Sequence, residues 1–255
     1  MRLWYTNCSA CGAYQEKVYV RNDEALCKIC LHERYGMETL FETTTGSRAY
    51  GLALETSDCD VLRVVAHGPG EYLGLTPYKE SAHFKNGKDD VTVWDVRFYG
   101  KLLCAGNPNA VLPLFFDRTN YAVFTKEFEK FALNRRFFLG PNTIYSFRGM
   151  AQNTAQKFWD DNTNMKAAAN ALYLYQALKD LALYGGLGLS ANKLAFLRAV
   201  KKGQVEFEEV QAALKALERG TEKESLSWGG VFCPTHEQVF ENVNREVTAI
   251  LKNYA

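Results

Sequence analysis

The segment from Met37 to Gly68, "METLFETTTGSRAYGLALETSDCDVLRVVAHG", restricts the fold more than any other part of the chain. Residues 38–45 combine threonines with apolar groups, a strand composition. Gly46-Ser47 then turns the chain, "RAYGLALE" fits a short helix, and "DVLRVVAH" reads as a second, β-branched strand. Glycine lets a ligand approach the backbone closely, and the amides beside it can hold phosphate oxygens. A helix starting at the same point adds its N-terminal dipole. Asp58 and Asp60 open the second strand. Residues i and i+2 of a strand share a face, so the two carboxylates point together and can bridge a pair of magnesium ions. Magnesium prefers oxygen ligands and keeps positions for substrate phosphates. Cys59, between the aspartates, is expected to face the core. Taken singly, Gly-Ser is a loop and Asp-x-Asp a solvated strand end. Strand, turn, helix and acidic strand in that order give them chemical meaning.

A third carboxylate is offered by "GKDDVTVWDVRFYGKLLCAG". "VTVW" reads as a short strand, and "WDVRFYGKLLCAG" as a helix with Trp94, Phe98 and Leu102 near one stripe. Asp89 and Asp90 precede the strand and face opposite ways, so at most one joins the pair. From residue 120 the chain reads mostly helical. Gly140-Pro141 starts a helix whose core positions are Ile144, Phe147, Ala151, Ala155 and Phe158. A longer helix runs to Gly185-Gly186, and its tyrosines between 172 and 184 read as core. A Ser190 cap begins the next helix, which ends at Gly203. "FEEVQAALKALERG" and "HEQVFENVNREVTAILKNY" follow. Arg135-Arg136 and Arg148 either grip a triphosphate or nucleic-acid backbone, or are solvated helix faces. Lys201-Lys202 complements a helix C-terminus. His67, His83 and His236 have no partner pattern and read as structural or exposed.

The first thirty-five residues carry "CSAC" and "CKIC", fifteen residues apart. Each two-residue gap lets one turn present two sulfurs to the same ion, so Cys8, Cys11, Cys27 and Cys30 form a four-thiolate zinc pattern. "EKVYV" supplies a strand and "RNDEA" a turn between them. So short a segment depends on the metal for its folding energy. A closed four-cysteine site has no open position, so the zinc is structural. Trp4, Tyr5, Tyr14, Tyr19, Lys17 and Arg21 either stack bases and meet phosphates or pack the module onto the body. His32 reads as a surface residue. Lys plus Arg is 30 against 29 for Asp plus Glu, so any nucleic-acid surface must be local. No apolar run approaches the roughly 18 residues of a membrane span, and "MRLWYTNCSACG" has no signal-peptide core. Seven cysteines, an odd number, argue against a disulfide framework. The expectation is a soluble, cytoplasmic protein.

"GSRAYGL", "SDCDV", "EYLGL", "DVTVWDVRFYGKLLCAGNPNAVLPLFF" and "SFRGMAQ" together resemble the RNA ligase-associated polymerase-β family of nucleotidyltransferases, thought to serve RNA repair. The likeness continues through "ANALYLYQALKDLALYGGLGL" and "LRAVKKGQVEFEEVQAALKAL", covering about residues 40–250. It implies an α+β fold. A zinc ribbon or knuckle at 1–35 precedes a polymerase-β-type core of mixed sheet and helices at 36–118 and a helical domain at 119–255. It implies Asp58, Asp60 and Asp90 as the catalytic, magnesium-binding residues, with Asp90 rather than Asp89 as the third. Gly46, Ser47, Arg48 and Arg148 become nucleotide-binding candidates. The implied reaction moves a nucleoside monophosphate from a nucleoside triphosphate to a hydroxyl, an RNA 3′ end being the implied acceptor. A protein or small-molecule acceptor stands as the alternative, as does a non-catalytic zinc-dependent nucleic-acid binder. The chain departs from the family at Asn170 and Tyr173, where histidine and arginine are usual, and at Gly149-Met150, where Gly-Tyr is usual. The carboxylate triad is complete.

Overall fold

The computed structural model describes residues 6–7, 14–15, 19–21, 24–26, 38–55, 57–73, 80–86, 89–222 and 233–253. Near the N-terminus β1 (Thr6–Asn7) pairs antiparallel with β2 (Tyr14–Gln15), and β3 (Tyr19–Arg21) with β4 (Glu24–Leu26). The second pair is a hairpin between the two cysteine pairs, as expected, but Arg21, Glu24 and Ala25, expected in its turn, belong to its strands. The four paired cysteines lie outside the described residues.

Five further strands build one mixed sheet. These are β5 (Glu38–Thr45), β6 (Cys59–Ala66), β7 (Ser81–Asn86), β8 (Asp89–Asp95) and β9 (Tyr121–Phe124), in the order β7-β8-β6-β5-β9. Only β6 and β8 run parallel. The central β6 is buried continuously from Leu62 to Ala66, as a strand covered on both faces requires. Arg63 interrupts that apolar run. It is tolerated because its register partner on β5 is Glu42, whose Oε2 accepts from Arg63 Nε at 2.6 Å. Strand β9 is a departure from the helical reading after residue 120. Its aromatic and β-branched residues zip onto β5, and Thr43 Oγ1 donates to the Asn120 carbonyl at 3.0 Å. The sheet thus takes its edge from beyond residue 118.

Short helices α1 (Gly46–Ala49) and α2 (Pro69–Leu73) follow β5 and β6. The helix expected over "RAYGLALE" is a single turn that includes Gly46 and Ser47, because the chain passes through positive φ at Gly51. Helix α3 (Val96–Cys104) begins where Asp95 accepts from Arg97 N at 2.8 Å. That cap leaves Trp94 in the strand and shifts the buried stripe to Val96, Tyr99, Gly100 and Leu103, one position from the expected one. A short α4 (Pro108–Val111) and α5 (Lys126–Leu133) lead to the helical part. There α6 (Pro141–Asp160) buries Ile144, Phe147, Ala151, Ala155 and Phe158, as its spacing predicts. Helix α7 (Met165–Tyr184) is apolar on nearly every face and stands at the centre, packed by α6, α8 (Ala191–Lys201) and α9 (Phe207–Gly220). Finally α10 (His236–Lys252) returns to α3. A Cβ at Gly100 would meet Val247 at 3.0 Å, so glycine sets the closeness of that crossing. Among the described residues no helix is long and apolar enough to cross a membrane.

Candidate active site

The acidic residues gather at one end of the sheet. Asp89 and Asp90 do not precede β8; they open it. The parallel register pairs Asp60 with Asp90 and Cys59 with Asp89. Residues paired across a ladder share a face, which puts the carboxylates of Asp60 and Asp90 side by side. On the other flank Asp60 pairs with Thr45, the last residue of β5. Gly46 follows at φ +61°, and a Cβ built there would fall 2.1 Å from Asp60 Oδ2. The Asp60 carboxylate therefore occupies the space that any other residue at 46 would fill. Asp58 stands exposed just before β6, and Cys59 is half-buried rather than fully in the core.

Burial raises the pKa of Asp60, and the nearby charges of Asp90 and then Asp58 raise it further; Lys166 and Lys201 pull it back. Asp90 also faces His83, whose Nε2 lies 2.9 Å from Oδ1. That contact has the distance of an ion pair but not the alignment of a hydrogen bond. Oδ1 is otherwise a buried acceptor without a partner among the described residues. Among those residues no three carboxylate, imidazole or thiol groups stand close enough to enclose an ion on their own. Magnesium does not require this, since water and substrate phosphates complete its shell. Two carboxylates that act on a third, one of them with a buried oxygen that takes no hydrogen bond among the described residues, suit a cation.

The other sequence candidates divide. Ser47 lies in the turn with Gly46, its carbonyl accepting from Leu52 N at 2.7 Å. Arg48 serves the turn itself: Nε donates to the Asp58 carbonyl at 3.2 Å and Nη2 to that of Ser57 at 3.0 Å. It ties the Gly-Ser turn to the start of β6. Arg148, on α6, acts on Tyr175 of α7 and has a buried Nε without a partner among the described residues. Arg135 lies over the Phe115 ring and Arg136 donates to the Gly185 carbonyl.

Several groups escape a reading of the sequence. Tyr50 stacks on Tyr173 with centroids 4.0 Å apart, joining the turn to α7. Burial, then Asp60, pushes the Tyr50 hydroxyl above its ordinary pKa. Lys166, Asn170 and Tyr173 follow at i, i+4 and i+7 on α7 and so form one stripe. Within that stripe Asn170 Oδ1 is buried without a partner among the described residues. Lys201 donates from Nζ to the Leu52 carbonyl at 2.7 Å, and Arg198 from Nε to that of Gly51 at 2.6 Å. The end of α8 is thereby clasped to the Gly-Ser turn, a role beyond the dipole complement expected of Lys201. The helical spacing of 166, 170 and 173 was a visible signal, but which face it served was not.

The sequence model of the RNA repair pathway DNA polymerase beta family matches residues 21–248. No curated protein matches the chain. Among solved structures, a nucleotidyltransferase-like protein from Exiguobacterium sibiricum 255-15 is similar at 11% identity and a TM-score of 0.27, over 85% of this chain and 72% of that one.

Proposed function

The chain belongs to the RNA repair pathway DNA polymerase beta family and is a nucleotidyltransferase, and on that premise we propose that it transfers a nucleoside monophosphate from a nucleoside triphosphate to the 3′ hydroxyl of an RNA. The observation that carries this is the in-register pair of Asp60 and Asp90 beside the Gly46–Ser47 turn. Asp58, Asp60 and Asp90 would hold two magnesium ions. Bound there, magnesium lowers the pKa of the attacking hydroxyl and neutralises charge on the leaving phosphates. The turn at Gly46 and Ser47 receives the phosphates through its backbone. The acceptor oxygen forms a bond to the α-phosphorus as the bond from that phosphorus to the bridging oxygen breaks. Pyrophosphate leaves with the electron pair, and Asp90 takes the hydroxyl proton. The RNA acceptor is supported by the family's description, which names RNA repair.

Incubation with labelled ribonucleoside triphosphates, magnesium and an RNA tests this. Label should enter the RNA only when its 3′ hydroxyl is free, and added salt should weaken the reaction because phosphate contacts release counterions. Label appearing instead on polypeptide in a ribonuclease-treated extract, indifferent to 3′-blocked RNA, would move the acceptor to protein.

The paired cysteines complete the reading as a zinc module that helps hold the acceptor. The supporting observation is the spacing of Cys8, Cys11, Cys27 and Cys30 around the β3–β4 hairpin. Protein purified without added metal should contain one zinc per chain, and Cys8→Ser should lose it. Elemental analysis that finds no stoichiometric transition metal would remove the module.

A further inference from the structure

The start of α7 and the end of α8 meet beside the carboxylates. A Cβ built at Gly203 would stand 4.0 Å from Met165 Cγ, so the two helix ends are in contact. Lys166 is the next residue after Met165, and Lys201 lies two before Gly203. The Lys201 ammonium donates to Leu52 O, and Leu52 N donates to Ser47 O, so one residue separates this cation from the Gly-Ser turn. An ammonium has three protons, and Leu52 takes one. Lys166 and Lys201 both act on Asp60.

Their placement is electrostatically costly. Burial first, and then the charge of Lys166, hold Lys201 below the usual lysine range. Lys166 sits in the first turn of α7, where the helix dipole disfavours a cation. Helix-end complementarity explains Lys201 alone. Its bond to Leu52 holds Lys201 beside the Gly-Ser turn, and Lys166 lies within charge range of both Lys201 and Asp60.

We propose that Lys166 and Lys201 hold the terminal phosphates of the nucleoside triphosphate, the two that depart as pyrophosphate. The proposal rests on the transfer reading given above. The carboxylates supply ligands for cations and the Gly-Ser turn supplies amides. Neither provides side-chain positive charge for the far end of a triphosphate. Two ammonium groups do, as point charges that a flexible chain can direct as negative charge grows on the leaving group. If instead the lysines only balance the aspartates, their loss should not depend on how many phosphates the nucleotide carries.

That contrast sets the experiment. Dissociation constants are measured by calorimetry on the full chain with magnesium, for ATP, GTP, CTP and UTP, each against its monophosphate. Lys166 is exposed, so Lys166→Gln tests the charge without a core change. For each triphosphate that the parent binds, affinity should fall about tenfold or more in Lys166→Gln and in Lys201→Met. Monophosphate affinity should change by less than about twofold, and Lys166→Arg should recover most of the loss. Equal losses for tri- and monophosphate, or variants that bind triphosphate as the parent does, overturn the proposal and leave the transfer reading standing. A parent that binds neither nucleotide overturns both.

Discussion

Asp60→Asn is expected to abolish nucleotidyl transfer, with the rate falling at least about a thousandfold, and to melt no earlier than the parent near neutral pH. A loss of that size corresponds to about 4 kcal/mol of transition-state stabilisation, within the several kcal/mol that a correctly held metal ion provides. The stability half follows from the charges around the carboxylate. Burial, Asp90 and Asp58 outweigh Lys166 and Lys201, so the pKa of Asp60 is raised in the folded protein. The folded state therefore binds this proton more tightly than the unfolded chain does. The group's contribution to stability is present at low pH and is lost as pH rises from the ordinary aspartate range through the raised value. Near pH 7 the ionised carboxylate is a net cost, and asparagine has no charge to lose. Thermal melts in magnesium-free buffer should show the variant level with the parent or above it. The difference should close as pH is lowered toward the ordinary aspartate range. A variant that melts well below the parent, or that transfers at the parental rate, would show that Asp60 is a structural residue.

How much of this was legible in the sequence depends on how local each feature is. The Gly-Ser turn and the Asp-x-Asp segment lie within one short stretch, and alternation predicts one face for Asp58 and Asp60, although β6 begins only at Cys59. The resemblance favours Asp90 over Asp89, whereas the residues alone leave both open, because the β6–β8 register that pairs Asp90 with Asp60 is carried by no local pattern. Asp95 hid the phase of α3, because an aspartate at the end of a strand looks like any polar residue until it caps the next helix. Strand β9 is four residues long, too short for a period to emerge, and exists because β5 offers it an edge. Lys166, Lys201 and the Tyr50–Tyr173 stack come together only when the helical part folds against the turn. His83 is exposed, as its lack of a partner pattern suggests, yet it does have a partner. Its partner is on the neighbouring strand, seven residues on. The acidic end of the sheet was thus readable from a motif, whereas the helical residues beside it are brought there by packing.

Gly46→Ala should reduce transfer by about a hundredfold or more while costing only about 2 kcal/mol of stability. Two separate effects meet at this position. Its φ of +61° lies in the left-handed region, where an L-residue costs roughly 1–2 kcal/mol. In a chain of this size each kcal/mol shifts Tm by roughly 2–4 °C, so a fall of several degrees is expected. The second effect is on the site. The added Cβ would stand 2.1 Å from Asp60 Oδ2, far inside van der Waals contact, so the carboxylate or the turn has to move by about 1 Å. A displacement of that size among reacting groups costs on the order of a hundredfold in rate. Gly185→Ala separates the two effects. Gly185 has a φ of +62° at the C-terminus of α7 and is not part of the carboxylate cluster. It should lose stability to a similar degree and keep its transfer activity. Should both variants lose activity in proportion to their loss of Tm, backbone strain would be the whole cause. The close approach of Gly46 to Asp60 would then have no catalytic meaning. A large loss confined to Gly46→Ala ties catalysis to the position of one carboxylate over one glycine.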